Sequence, residues 1–256
     1  PEPDQRELEA AIAAIRAAKH PLIVAGGGVI YSGAEQTLLD FARKHNIPLV
    51  ESHAGQGAVD WEEPLHYGSP GVTGTGCGNA LAATADLVIG VGTRFQDFTT
   101  GSWTVFSAPG RKLLSINIHG YDAGKRGAQA LVGDAKVCLE KISAALGGHR
   151  FADPEAKLRR DWFATTDALM AAPGSNALPT AAQVIGAVQR QTGKQSVVMC
   201  AAGTMPGALH VLWRAAQGGY HMEYGFSCMG YEIAGAMGIK MAAPDKDVVC
   251  MVGDGS

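Results

Sequence analysis

Pro21-Leu22-Ile23-Val24-Ala25-Gly26-Gly27-Gly28 is the stretch whose reading decides the fold. Its leading residues are apolar without alternation and too few for a helix, so they read as a strand buried on both faces. The glycines then turn the chain, and a helix follows from about Ala34 to His45. Outward from this unit the pattern repeats. Upstream, Leu8, Ile12 and Ile15 share one face of a helix over residues 6–18. Downstream, residues 47–51, 86–92 and 112–118 read as strands, and a helix over about 135–146 closes the array. Short apolar strands between helices predict an α/β fold with a doubly wound parallel sheet covered on both faces.

A boundary follows at Gly147-Gly148 and the charged run over 153–161. We therefore expect one unit over 1–150, a linking helix and loop over 151–176, and the first part of a second α/β unit over 177–256. In that second unit a helix is expected from Pro179 to about Gln191, with Pro179 in its first turn. The strand 196–200, a helix over about 208–215, a Gly- and Ala-rich helix over about 229–241 and the strand 247–252 complete it.

Composition narrows the function classes. Of 256 residues 46% are hydrophobic and 18% charged, which excludes a disordered chain. Lys plus Arg is 21 against 24 Asp plus Glu, so the basic excess of a nucleic-acid binder is missing. No run approaches the roughly 18 apolar residues of a membrane span. The 34 glycines suit tight βα turns and close backbone approach to a ligand. Five cysteines, an odd number with no CxxC spacing, argue against a disulfide framework or a zinc site and for reduced thiols in the cytoplasm. The chain opens on Pro1-Glu2-Pro3 without initiator Met or signal-like segment and ends on a Gly-rich turn, so it reads as a piece of a longer protein.

Several motifs carry two readings. Gly26-Gly27-Gly28 sits where a phosphate docks on a helix N-terminus, but Tyr31 stands where the dinucleotide fingerprint needs glycine. A ligand-free tight turn is the favoured reading, although Glu51 is roughly placed for a ribose. Gly71, Gly74, Gly76 and Gly78 crowd one loop, as either a closely packed or flexible segment or a surface facing a neighbouring domain or cofactor. His53, after the second strand, reads as a substrate or interdomain contact. Gly253-Asp254-Gly255-Ser256 ends the last strand. There the Asp254 carboxylate projects from the strand's carboxyl end, where open α/β sheets bind ligands. Mg²⁺ favours such a carboxylate when phosphates complete its shell. Alone, the motif is also an ordinary turn.

The spacing of two motifs changes that weight. Asp254 lies 25 residues after Met229, in the run Ser227-Cys228-Met229-Gly230-Tyr231-Glu232-Ile233-Ala234-Gly235. Met-Gly, a small-residue helix, a strand and Gly-Asp-Gly-Ser together resemble the diphosphate-binding domain of thiamine-diphosphate enzymes of the acetolactate-synthase type. Residues 1–150, with Gly92-Thr93-Arg94-Phe95, resemble their middle domain. The run 218–235, with its Tyr-His-Met-Glu-Tyr-Gly segment, and the run 200–207 resemble more closely the superfamily's ring-opening hydrolases of myo-inositol breakdown.

The resemblance implies roles residue by residue. Asp254 binds Mg²⁺, with Gly253, Gly255 and Ser256 lining the cofactor diphosphate. Gly203, Thr204 and Met205 form the other diphosphate loop. Met229 wedges the cofactor into its bent form, which reverses the ordinary reading of a core methionine. Backbone at Ser227 and Met229, flanking Cys228, holds the aminopyrimidine; acetolactate-type members usually carry Gly at the position of Ser227. Cys228 itself reads as packing. His221, Glu223 and Tyr224 are candidate contacts to a polyhydroxylated ring, with structural hydrogen bonding as the alternative. The activating Glu belongs to an N-terminal domain and a second metal ligand, an Asn, to a later segment, so no catalytic residue is assigned and residues 1–256 alone are expected to be inactive. The implied reaction is hydrolytic carbon–carbon cleavage of a cyclic 1,2-dione to 5-deoxyglucuronate, by a homodimer or homotetramer with no nucleic-acid or membrane partner. The rivals are an acetolactate-type carboligase and a non-catalytic nucleotide-binding module.

Overall fold

The computed structural model describes residues 1–172, 178–223 and 225–255. The candidate site residues Tyr224 and Ser256 lie outside the described residues. The first sheet consists of β1 (Pro21–Ala25), β2 (Leu49–Glu51), β3 (Leu87–Val91), β4 (Lys112–Asn117) and β5 (Gln129–Val132). All neighbours are parallel, in the order β2-β1-β3-β4-β5. The expected doubly wound sheet is therefore present. The chain leaves β1 for β2 on one side and returns to β3 on the other, which opens a crevice at the carboxyl ends of β1 and β3.

Every residue of β1 and β3 is buried because the sheet is covered twice. The pleat sends alternate side chains to opposite faces. Ile23, Ala25, Leu87, Ile89 and Val91 join one core with α1 (Gln5–Ala17), α3 (Glu35–His45) and α7 (Ala135–Leu146). Leu22, Val24 and Val88 join the other, beneath α4 (Gly76–Thr84) and Trp162 of α8 (Ala156–Met170). Short helices α2 (Gly27–Tyr31), α5 (Asp97–Thr100) and α6 (Gly120–Ala123) sit over the carboxyl ends. Local signals set the boundaries. Asp4 caps α1 through the amides of Arg6 and Glu7, Asp134 caps α7 through Val137, and Asn46 stops α3 in the left-handed conformation.

The second sheet has the order β7-β6-β8, all parallel, from β6 (Val197–Cys200), β7 (Tyr220–Met222) and β8 (Val248–Cys250). It packs with α9 (Ala181–Gln191), α10 (Met205–Leu212) and α11 (Tyr231–Ala242). Two helix starts differ from expectation. Thr180 caps α9 in a capping box with Gln183, so Pro179 precedes the cap instead of filling the first turn. Helix α10 begins at Met205, with Pro206 in its first turn, and so takes in residues that read as loop.

The two sheets meet along a hydrogen-bonded seam. Trp61 N donates to Ala215 O at 3.0 Å and Gly218 N to Gly57 O at 2.8 Å. No helix among the described residues is long and apolar enough to cross a membrane.

Candidate functional site

Strand β6 is central, and β8 is paired with it in the register Met199↔Cys250. Met251 N continues the ladder to Met199 O at 3.0 Å. The segments leaving the two strands, 201–205 and 252–255, therefore emerge side by side at the carboxyl edge. Gly203 has φ +84°, and a side chain added at Gly203, Gly253 or Gly255 would meet nothing within 4 Å. Thr204 and Asp254 are exposed, and Met205 is half-buried. The two glycine loops thus border open space, with one carboxylate beside it. Among the described residues no three His, Cys, Asp or Glu side chains converge as a metal cage. Asp254 fits the single-carboxylate, phosphate-completed mode of Mg²⁺ binding.

The third segment is the turn before α11. Glu223 shapes it by accepting hydrogen bonds from Cys228 N at 2.9 Å and Phe226 N at 3.1 Å. These amide bonds, led by Cys228, hold the Glu223 carboxyl below the usual carboxylate range. Ser227 has φ +51°, a left-handed conformation that costs a side chain strain. Met229 is 66% exposed, so it is not a core methionine but an apolar side chain at the surface. Cys228 is also exposed, which overturns its reading as packing; its backbone amide is what the structure uses.

Gly230, at φ +90°, is the N-cap of α11, and Glu232 follows two residues later. Glu232 is 0% exposed, and its carboxylate accepts Gly230 N at 2.9 Å and Ala202 N at 3.1 Å. Sequence reasoning missed this residue, because only its long-range bond to the β6 loop distinguishes it from an ordinary first-turn acid.

Among the described residues, the cleft that His221 and Glu223 line has neither Met229 nor Asp254 in its wall. This cleft, of about 600 Å³, is shared with Ser52, Thr93, Arg94 and Asn117, at the crevice of the first sheet. His221 Nε2 lies 3.1 Å from the Tyr231 hydroxyl, and burial lowers its pKa. At the floor of that crevice Gly28 N donates to Gly92 O at 3.0 Å, and a Cβ on Gly28 would stand 2.6 Å from Gly92 Cα. Close approach of two turns therefore requires these glycines, as the tight-turn reading expected. Glu51 does not line the crevice. Its buried carboxylate accepts the amides of Gly57 at 3.0 Å and Val59 at 2.8 Å and lies 3.2 Å from His66 Nε2. The ribose role considered for it is replaced by a structural one.

His53 is an interdomain contact. Its ring stacks on that of His210 from α10, with centroids 3.6 Å apart. Thr73, from the glycine-crowded loop, joins them at 2.8 Å to His53 Nε2 and 3.0 Å to His210 Nδ1. His210 Nε2 meets the Glu51 carbonyl at 3.1 Å. A carbonyl only accepts, so the His210 proton sits on Nε2, and Nδ1 accepts from the Thr73 hydroxyl. That loop thus faces the second sheet. Burial lowers the His53 pKa to about 4 and that of His210 well below the ordinary value. Desolvation raises the thiol of Cys200 to about 11 and that of Cys138 to about 12, which disfavours their thiolates.

Comparison with known proteins gives this geometry its context. The thiamine pyrophosphate enzyme central domain matches residues 8–142, more than half of the chain, and the C-terminal TPP binding domain matches residues 201–256. Curated relatives named 3D-(3,5/4)-trihydroxycyclohexane-1,2-dione hydrolase are similar over the whole chain: 41% identical in Geobacillus thermodenitrificans and 37% in Bacillus subtilis. A relative of the same name from Clostridium perfringens is 38% identical over 98% of the chain. The chain spans 44% of the length of these relatives. The three loops at the edge of β6 and β8 fall within the matched C-terminal domain. The chain belongs to the thiamine pyrophosphate enzyme family.

Proposed function

We propose that the full-length protein containing this chain is a thiamine-diphosphate- and Mg²⁺-dependent hydrolase. It opens 3D-trihydroxycyclohexane-1,2-dione by carbon–carbon cleavage to 5-deoxy-D-glucuronate, in the cytoplasmic breakdown of inositol. The observation that carries this reading is the convergence of segments 201–205, 226–230 and 252–255 on one open edge. It occurs in a chain 37–41% identical to relatives bearing that hydrolase name.

Thiamine diphosphate, when bound, supplies the nucleophilic carbon and the electron sink for the cleavage. The chain's part is to bind and orient. Asp254 holds the metal, and the backbone of 203–205 and 253–255 receives the diphosphate. The Ser227–Met229 backbone holds the aminopyrimidine, and the exposed Met229 side chain supports the bend of the cofactor. Glu223 fixes the turn that carries those groups. Glu223 is bonded to the turn that carries Met229, so a hydroxylated ring held at that turn would meet His221 and Glu223 from the crevice side. Helix α11 turns Ile233, Met237 and Met241 outward at helical spacing, which supports assembly into a homodimer or homotetramer.

The test is product analysis with the full-length protein, with and without thiamine diphosphate. The reading requires cofactor-dependent formation of the ring-opened acid from the dione and no acetolactate from pyruvate. Acetolactate formation without dione cleavage would instead show a carboligase.

A further inference from the structure

Glu232 touches two of the three segments of the cofactor edge and the strand that leads to the third. Its Oε1 accepts from Ala202 N at 3.1 Å, at the end of β6. Its Oε2 accepts from Gly230 N at 2.9 Å, in the turn that carries Met229. Its backbone carbonyl accepts from Cys250 Sγ at 3.4 Å, on the strand that leads to Asp254. An acid in the first turn of a helix is ordinary, because the helix dipole favours it. Such an acid normally faces water, whereas this one is fully buried. A buried carboxylate is costly unless hydrogen bonds compensate it. A helix that needed only packing here would be served better by an apolar side chain.

From these contacts we propose that Glu232 is a positioning residue for cofactor binding. It acts as a rigid bar that fixes the diphosphate loop at Ala202–Met205 against the aminopyrimidine turn at Cys228–Gly230. This inference rests on the proposed cofactor site. The two oxygens of one planar carboxylate have a fixed separation, so each loop is held at a set distance from the other. Both partners are N–H donors, and only an ionised carboxylate offers an acceptor to each. Glutamine keeps the size but turns an NH₂ toward one of the amides. Aspartate, one methylene shorter, cannot span both loops.

The test uses the full-length protein. Thiamine diphosphate is titrated calorimetrically at saturating Mg²⁺ into wild type, Glu232→Gln, Glu232→Asp and the remote core variant Leu38→Ala. Melting temperature and amide hydrogen exchange are measured on each. Glu232→Gln and Glu232→Asp should bind roughly tenfold or more weakly, as is typical when a supporting hydrogen bond to a binding group is lost. Exchange at Ala202 or Gly230 should accelerate in both. Leu38→Ala should lower the melting temperature and leave affinity unchanged, which separates positioning from general stability. Equal affinity in wild type and Glu232→Gln would overturn the positioning role and leave the proposed function standing. Failure of wild type to bind thiamine diphosphate would overturn the proposed function itself. If the Glu232 variants do not fold, wild-type exchange decides. Protection of Ala202 and Gly230 rising together on cofactor binding supports the bar, and protection of only one refutes it.

Discussion

Acid should open the seam between the two sheets, and the His53–His210 stack sets how much. His53 has a pKa of about 4 in the fold, lowered by burial from an ordinary 6.5. Folded protein therefore binds fewer protons than unfolded protein between those values, and stability is full above pH 6.5 and falls as pH drops toward 4. A gap of about 2.5 units at 1.36 kcal/mol each gives about 3 kcal/mol in total, of which about 2 kcal/mol is lost by pH 5. His210, lowered well below the ordinary value by burial and by its neighbour His53, adds loss of the same sign. Protonating both would press two cations face to face at a centroid distance of 3.6 Å. Urea unfolding at pH 7.5 and pH 5, followed by tryptophan fluorescence, measures the effect, since Trp61 and Trp213 lie on the seam side. In His53→Gln, which does not titrate, the drop in stability between the two pH values should shrink by about 2 kcal/mol. The same drop in variant and wild type would refute the assignment of acid sensitivity to this stack.

Other outcomes follow from the geometry. Met229→Leu in the full-length enzyme should keep most activity because volume is nearly conserved, whereas Met229→Ala should lose roughly 10–100-fold with little change in melting temperature. Equal activity for Ala and wild type would exclude the wedge role. Asp254→Asn should weaken Mg²⁺ and thiamine diphosphate together in a titration at limiting metal, while an exposed position leaves stability within about 0.5 kcal/mol. Gly28→Ala drives a Cβ to 2.6 Å from Gly92 Cα, so the two turns must part. Its cost should be about 1–3 kcal/mol in chemical denaturation, and a neutral result would show that the crevice floor is not closely packed.

The first sheet was legible because its central strands are covered on both faces and so read as unbroken apolar runs. Strand β5, with only Leu131 fully buried, and β7, three residues long, lack that signal. The start of α10 was misplaced because Gly203, Pro206 and Gly207 all resemble loop residues, although Pro206 is acceptable in a first helical turn. The helix and strand between Met229 and Asp254 are legible from the sequence, since α11 and β8 lie between them as the spacing expects. Glu51 and Glu232 are not, because their roles depend on amides far away in the chain that no local pattern announces. For His53 an interdomain contact is one reading among others, and its partner His210 is set only by the fold, where α10 meets the Glu51 carbonyl.

The placement of the cofactor is the central claim, and hydrogen–deuterium exchange of the full-length protein with and without thiamine diphosphate and Mg²⁺ tests it directly. The account predicts that binding slows exchange in segments 201–205, 226–230 and 252–255. Protection confined to 26–28 and 92–94, at the crevice of the first sheet, would contradict it.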